Sequence, residues 1–198
     1  EKLSKNIEKE LAELNIAHAT FAVSVDWLYT KNGWISIDGQ SVECTDFGCD
    51  DIRLFISTNK GEEPKPLAKI ASGGEISRVM LALKSILAKE QSLPVMIFDE
   101  IDTGISGEVS EKVGRAMRKL SDHCQIIAIT HQPQIASQAH HHYKVEKRET
   151  EERTITRIVS LDKEAHIREV AGLMSGSEIS ESTLNSAREL IQKSVSNN

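Results

Sequence analysis

The chain has 198 residues, of which 39% are hydrophobic, and a formal net charge of -6 at pH 7. This length supports one good-sized hydrophobic core or at most two small ones. The acidic balance argues against binding of nucleic acid through the overall field, because counterion release requires clustered Lys and Arg. The apolar runs are too short for a transmembrane helix, and three cysteines predict neither a disulfide framework nor a zinc site. A cytoplasmic protein is therefore expected, with Cys44 and Cys49 as ordinary small residues, and a start at Glu1 suggests a trimmed fragment.

The first third of the chain predicts a helix followed by antiparallel strands. Residues 1–16 have apolar side chains at helical spacing, which fits either the end of a coiled coil or an ordinary surface helix. These side chains are Leu3, Ile7, Leu11 and Leu14. Residues 21–29 alternate between apolar and polar, which predicts a half-buried strand. Further strands are predicted over 34–38 and 52–58, with a turn at Asp38-Gly39.

Beyond a loop at residues 59–67, helix and strand patterns alternate. The predicted elements are a helix over 74–89, strands over 95–98 and 125–130 with a helix over 107–120 between them, a hairpin over 143–149 and 154–161, and helices over 163–174 and 178–193. The order strand, helix, strand predicts a parallel α/β sheet. Because both strands are apolar, we expect them to be central and covered on both faces. The expected buried face of the helix over 74–89 consists of Ile76, Val79, Met80, Leu83 and Leu87.

A glycine-containing loop, Ala71-Ser72-Gly73-Gly74-Glu75, lies immediately before the helix predicted over 74–89. Ser72 and Glu75 have the spacing of a capping box, which explains the pair without a ligand. Two consecutive glycines nevertheless let backbone amides approach a ligand closely, and a helix N-terminus attracts anions. The loop is therefore also suited to a phosphate group.

Two adjacent acids, Asp99 and Glu100, end the apolar strand over 95–98. In a parallel sheet this places them at the carboxyl edge, where α/β proteins bind ligands. Consecutive side chains on an extended chain point in opposite directions, so one acid could reach a Mg²⁺ while the other orients an attacking water. The alternative is a pair of solvated loop acids. Asp102 continues the same loop.

Thr130 and His131 follow the second apolar strand in the same way. A histidine at the end of a strand is more often a structural residue than a functional one. If the sheet is parallel, however, His131 shares one edge with Asp99 and Glu100, and could donate a hydrogen bond to a terminal phosphate.

In this order, the four motifs resemble the second half of an ABC-type ATPase head, which implies ATP and Mg²⁺ as ligands. The resemblance identifies residues 72–75 as the signature motif. It further implies that Asp99 is the Walker B magnesium ligand and Glu100 the catalytic glutamate. Asp102 would be the D-loop acid and one of the nucleotide-binding residues, and His131 would be the switch histidine, with a catalytic role. The signature residues that would contact ATP are Ser72, Gly73, Gly74 and Glu75.

In sequence, residues 66–84, 97–107 and 130–136 resemble the bacterial RecN family of recombination and repair proteins. The members of this family are relatives of the SMC proteins. The resemblance implies an α/β fold: the C-terminal half of a P-loop ATPase head, with an antiparallel β portion near its N-terminus and a mostly parallel sheet flanked by helices. Residues 1–16 would then end a coiled coil, and residues 17–198 would belong to the head. The implied role is in repair of DNA double-strand breaks.

No Gly-x-x-x-x-Gly-Lys-Ser/Thr sequence occurs in the chain, so the phosphate-binding P-loop of the family is absent. The chain alone is therefore expected to have negligible ATPase activity. The resemblance implies three partners: an N-terminal half that supplies the P-loop, a second head that completes an ATP sandwich, and DNA, with no membrane and a location at the nucleoid. The alternatives are a fragment of a transport ATPase and a non-catalytic interaction module.

Overall fold

The computed structural model describes residues 1–69, 73–88, 94–149, 153–176 and 178–196. The chain divides into two compact units, Glu1–Ser72 and Gly73–Asn198. The first combines a helix with antiparallel strands, whereas the second contains a parallel pair flanked by helices, so the expected mixed α/β fold is confirmed. Throughout these described ranges, every helix is too short or too polar to traverse a lipid bilayer.

The first unit begins with helix α1, Lys2–Glu13. The helix ends in a turn of the Schellman type, in which the Ile16 amide donates to the Leu11 carbonyl oxygen over 2.9 Å. Asn15 adopts the left-handed conformation that this turn requires, with φ 67°. The apolar stripe is largely buried, with Ile7 and Leu11 fully inaccessible to solvent. A hydrogen bond of 2.8 Å from the amide of Phe21 to the Glu8 carboxylate joins the helix to the strand that follows.

Five strands complete the described part of this unit: β1 Thr20–Trp27, β2 Ile35–Ile37, β3 Gln40–Val42, β4 Asp50–Ser57 and β5 Lys65–Pro66. β1 and β5 flank β4 in an antiparallel sheet, and β2 pairs with β3 as a hairpin. The predicted turn at Asp38-Gly39 is confirmed, with φ values of 50° and 80° that suit a two-residue hairpin.

One face of the β1–β4 pair is apolar except at Asp50, yet it is buried at one end only. Phe21 faces Ile56 and both are 2% exposed, whereas Val25 faces Ile52 and these are 60% and 62% exposed. The predicted strand is therefore confirmed, but its half-burial is wrong beyond the first residues, because nothing in the described chain covers the far end of this face.

Cys44 and Cys49 form a disulfide, with their Cα atoms 4.1 Å apart. The expectation that they are ordinary small residues is wrong. The reason is a tight turn in which the amide of Thr45 donates to the Gly48 carbonyl oxygen over 2.8 Å, which brings the two flanking cysteines opposite each other. Cys124 is a buried free thiol, and its burial raises the pKa of that thiol.

The second unit follows the predicted order of elements. Its helices are α2 Gly73–Ala88, α3 Gly107–Leu120, α4 Pro133–Ala136, α5 Lys163–Ser175 and α6 Glu181–Ser196. Its strands are β6 Val95–Phe98, β7 Gln125–Ala128, β8 Tyr143–Glu149 and β9 Thr154–Ser160. The parallel pairing of β6 with β7 and the antiparallel hairpin of β8 with β9 confirm the expected topology. The short helix α4 was not predicted.

The parallel pair β6–β7 is open on one side. Met96 is 8% exposed, but Val95 is 44% and Ile97 67% exposed on β6, and Ile127 is 43% exposed on β7. The expectation that both strands are covered on two faces is therefore wrong for this chain. A run of apolar residues shows that a strand is suited to a covered position, but not that the same polypeptide supplies the cover.

The buried face of α2 also differs from the prediction. Val79, Leu81 and Ala82 are fully buried, whereas Met80 and Leu87 are each 37% exposed. Apolar side chains occur on several sides of this helix, so their spacing alone does not single out one buried stripe. In α3, by contrast, the sequence predicts a buried stripe of Val109, Val113, Met117 and Leu120. The last three are buried and Val109 is half-buried.

Helices α4, α5 and α6 enclose an apolar core of their own, which we call the helical cluster. Ala136, Val170, Ala171 and Ala187 form its buried centre. The larger residues packed against that centre are Ile167, Leu173, Leu184, Leu190 and Ile191. The Ser194 hydroxyl donates to the Ser137 carbonyl oxygen over 3.1 Å and ties α6 to the end of α4.

Candidate functional site

The candidate site lies where β6 and β7 end. Because the two strands are parallel and in register, from Val95 opposite Gln125 to Phe98 opposite Ala128, their carboxyl ends lie at the same edge. The Ile129 amide continues the ladder by donating to the Phe98 carbonyl oxygen over 2.9 Å. The expected common edge for Asp99, Glu100 and His131 is thus present.

Asp102 is the most constrained acid of this site and is 4% exposed. One of its carboxylate oxygens, Oδ2, accepts a hydrogen bond of 2.6 Å from the Thr130 hydroxyl and one of 2.8 Å from the His131 amide. Buried carboxylates require such donors, because an unpaired charge in the interior is strongly unfavourable. Asp102 therefore fastens the segment after β7 to the loop after β6.

The His131 imidazole is 72% exposed and contacts the same carboxylate, with Nδ1 3.0 Å from Asp102 Oδ2. The side-chain nitrogen Nε2 of Gln132 lies 3.4 Å from the ring nitrogen Nε2 of His131. The expectation that His131 could donate a hydrogen bond to a terminal phosphate stays a prediction.

Two residues beside His131 belong to the network although sequence reasoning assigned them no role. The Thr130 hydroxyl accepts from the Gln132 amide over 3.0 Å, and the Gln132 side chain donates to the Ile105 carbonyl oxygen over 3.1 Å. The only signal in the sequence is that both residues carry hydrogen-bonding side chains next to a histidine.

Asp99 and Glu100 are exposed, and they lie beyond the end of β6. Glu100 has φ 55°, a left-handed conformation that is unfavourable for most residues, and the Thr103 amide closes the turn by donating to its carbonyl oxygen. The argument from alternating side chains on an extended strand therefore does not apply here, because the bend separates the two acids. Accessible carboxylates at such a position fit a Mg²⁺ that takes its remaining ligands from water and phosphate.

Ser72 lies outside the described residues, so the proposed capping box and the full glycine loop are not described. Gly73 and Gly74 are the first residues of α2, and Glu75 lies in its first turn. The loop that carries Asp99, Glu100 and Asp102 is called the acidic loop below. A Cβ atom on Gly74 would be 2.0 Å from the Thr103 carbonyl oxygen, so the backbone of this loop requires glycine at position 74. One turn further on, burial lowers the pKa of the Arg78 guanidinium, an effect that the Glu75 carboxylate opposes.

Comparison with known proteins shows extensive similarity to proteins named DNA repair protein RecN. The chain is 41% identical to RecN of Rickettsia bellii over 190 residues, which cover 96% of the chain and 32% of the relative. It is 38% identical to RecN of Bacillus subtilis over 194 residues, which cover 97% of the chain and 34% of the relative. The chain thus spans about a third of the length of the curated relatives that it matches. No protein-family model matches it.

Solved structures with a similar fold are SMC heads. The Smc head domain of Pyrococcus yayanosii, with a coiled coil and joint, has a TM-score of 0.61 at 20% identity over 87% of this chain and 29% of that one. A structure described under ATP-driven dimerization and DNA stimulated activation of SMC ATPases has a TM-score of 0.53 at 19% identity over 89% of this chain and 93% of that one. The chain is therefore similar over nearly its whole length to one segment of RecN proteins, and its fold is similar to that of SMC heads.

Proposed function

We propose that this chain forms the part of an ATP-hydrolysing head that carries the catalytic acids and the switch histidine, within a protein that acts in DNA repair. The main support is the parallel β6–β7 pair, which brings the loop of Asp99 and Glu100 to the same edge as His131. The RecN relatives are named as DNA repair proteins, and one solved neighbour is described by ATP-driven dimerization.

In this proposal each residue at the edge has a separate role. Asp99 holds a Mg²⁺, which when bound neutralises charge on the phosphates of ATP. Glu100 orients the attacking water and accepts its proton, and His131 lies beside the terminal phosphate. Residues 72–75 act on the nucleotide of a second head, where the start of α2 favours an anion.

The open side of β6–β7 supports the need for a further polypeptide segment. Parallel sheets are normally covered on both faces, but Val95, Ile97 and Ile127 are between 43% and 67% exposed here. We propose that the half carrying the P-loop covers this side. Since the chain has no P-loop sequence, we expect negligible ATPase activity when it is alone. Residues 1–16 would connect to the coiled coil, and DNA would be bound by the whole protein.

The test is to mix the chain with a separately made half that contains the P-loop, and to measure ATP hydrolysis and ATP-dependent dimerisation. Activity is expected only in the mixture. Glu100→Gln should lower kcat by at least about 100-fold, because it removes the general base, and should prolong the ATP-bound dimer. Ser72→Arg should block dimerisation. Glu111→Gln is the matched control, because Glu111 forms only a surface ion pair with Arg115 on α3.

Two outcomes would contradict the proposal. A well-folded complex of the two halves that neither binds nor hydrolyses ATP would favour the interaction-module alternative. Unchanged hydrolysis with Glu100→Gln would show that another residue activates the water.

A further inference from the structure

Most of the aromatic residues of the chain lie in one segment of the first unit. The chain has two Trp, two Tyr and four Phe, and six of these eight residues, including both Trp, lie between residues 20 and 57. Four of the six are exposed: Trp27, Tyr29, Trp34 and Phe47. Single exposed apolar side chains are common on protein surfaces, but a group of large aromatic ones indicates contact with another molecule. We call these four side chains the aromatic surface.

Backbone contacts join the segments that carry the first three of these residues. The rings of Trp27 and Tyr29 meet edge to face, with their centroids 6.4 Å apart. Tyr29 pairs with Val42 in a β-bridge. The segment before Trp34 packs on the same Val42, because a Cβ atom at Gly33 would clash with the Val42 backbone. The three exposed rings therefore belong to one region of this unit.

Phe47 lies in the loop that the disulfide closes, residues 44–49, and its side chain is fully exposed. The Phe47 amide donates to the Thr45 hydroxyl over 3.2 Å, so the loop has a defined backbone. The loop ends next to Asp50, which lies opposite Trp27 in the β1–β4 pair. An aromatic side chain on a closed loop, without packing of its own, is preorganised for binding.

The charge of this region selects the kind of partner. Residues 20–57 carry six Asp and Glu against two Lys and Arg, which is a net charge of -4 in a chain whose total is -6. One of the two cations, Arg53, already forms an ion pair with Asp51. Asp46 and Asp50 are exposed, within the disulfide loop and directly after it. Such a surface repels a phosphate backbone and attracts Lys and Arg, which also bind the faces of aromatic rings.

We propose that the aromatic surface is a docking site for a basic segment of a partner protein, one that carries Arg or Lys side chains next to apolar ones. The cations lie over the aromatic rings and beside Asp46 and Asp50, and the apolar side chains pack on Trp27 and Tyr29. Docking here uses none of the residues of the proposed ATP site, so failure of one leaves the other standing.

Titration of the chain with a fluorescein-labelled peptide in which Arg and Leu alternate tests this proposal. Trp27 and Trp34 are the only tryptophans of the chain, so tryptophan fluorescence should change on binding, and the anisotropy of the peptide measures Kd. Trp34→Ser should weaken binding by about 10-fold, because aromatic anchors dominate the affinity of such surfaces. At 85% exposure, Trp34 can be replaced without loss of packing.

Tyr143→Ser is the matched control for the aromatic residues, because Tyr143 is an exposed aromatic residue of β8, in the second unit. It should leave Kd unchanged. An equal loss of affinity with Trp34→Ser and Tyr143→Ser would overturn the proposal, and so would a chain that does not bind the Arg-Leu peptide.

A second pair of variants tests the contribution of charge. Asp46→Asn combined with Asp50→Asn should weaken binding by about 3- to 10-fold at low salt and make Kd less dependent on salt. Asp122→Asn makes the same chemical change at an exposed position in the turn after α3 and should leave Kd unchanged. Equal effects would indicate general attraction of a basic peptide to an acidic chain and would overturn the proposal. Equal affinity for a peptide in which Glu and Leu alternate would do the same.

Other occupants of the surface give different results, each of which would overturn the proposal. Binding of duplex DNA that Trp34→Ser abolishes would make it a nucleic-acid site. Self-association that Trp34→Ser abolishes would assign it to a second copy of the chain. Loss of peptide binding on assembly with the P-loop half would show that the rest of the same protein covers it. Retained peptide binding in an assembled protein without ATPase activity would support the docking site and contradict the proposed function alone.

Discussion

The β6–β7 pair and the helical cluster of α4–α6 are both rich in apolar residues, but only the cluster is closed. Ile97 and Ile129 are 67% and 56% exposed in the sheet region, whereas Val170 and Ala187 are completely buried. Helices satisfy their backbone hydrogen bonds internally and can pack in a local hairpin, as α5 and α6 do. Parallel strands need neighbours that are distant in sequence. Within the described residues, the helical part is therefore closed, whereas the β6–β7 pair keeps an exposed apolar side.

The largest effect expected from this comparison is on the stability of the chain itself. Val170→Asp should lower the free energy of unfolding by more than about 3 kcal/mol, because it places a charge without a partner at the centre of the helical cluster. Ile97→Asp should lower it by less than about 1 kcal/mol, since that position is already open to solvent. Urea denaturation of the two variants measures both values. Equal losses would mean that the sheet region is as closed as the cluster.

The second prediction concerns binding of the P-loop half, for which a substitution on the open side of the sheet should have the larger effect. In titrations with the P-loop half, Ile97→Asp should weaken binding by about 10- to 100-fold, which corresponds to the loss of one buried isoleucine. Met174→Asp is the matched control, because Met174 is an exposed apolar residue of α5, 42% accessible, outside the open sheet. If both substitutions weakened binding equally, the partner would not be specific to the β6–β7 side.

The smallest effect concerns a histidine pair at the edge of the helical cluster. His142 precedes β8 and His166 lies on α5, with their Nδ1 atoms 2.8 Å apart. Burial lowers the pKa of both rings; the neighbouring His142 lowers the pKa of His166 further, whereas Glu169 opposes the shift of His142. Between the lowered values and the ordinary histidine pKa of about 6.5, the unfolded chain binds more protons than the folded chain. Stability should therefore fall as the pH is lowered through this range and stay level above it.

His166→Gln should make this pH dependence less steep, which thermal unfolding measured between neutral and mildly acidic pH would show. The same slope in the variant and the wild type would exclude the pair as its cause.

Much of the fold could be predicted from local patterns. The parallel pair, the β8–β9 hairpin, α3 and the Asp38-Gly39 turn follow from periodicity and turn chemistry, and the motif order indicated the edge where Asp99 and His131 lie. The exposure of Ile97 could not be predicted, because an apolar strand does not reveal whether the same chain covers it. The disulfide depends on the turn at Thr45, and spacing does not reveal it.

The different environments of Asp99 and Asp102 also could not be predicted from the sequence. The two residues have the same side chain and lie in one loop, but one is exposed and the other is buried against the end of β7. Only the course of the backbone after Phe98, which turns at Glu100, separates them.

The close approach of Gly74 to the Thr103 carbonyl oxygen has a consequence for communication within the head. Any side chain at position 74 would push the start of α2 away from the acidic loop, because the two backbones are in direct contact there. In the proposed ATP sandwich, the start of α2 serves the nucleotide of the opposite head, whereas the acidic loop serves the nucleotide of its own. In that arrangement, we expect cooperativity between the two ATP sites to require glycine at position 74. Gly74→Ala should then abolish the cooperativity.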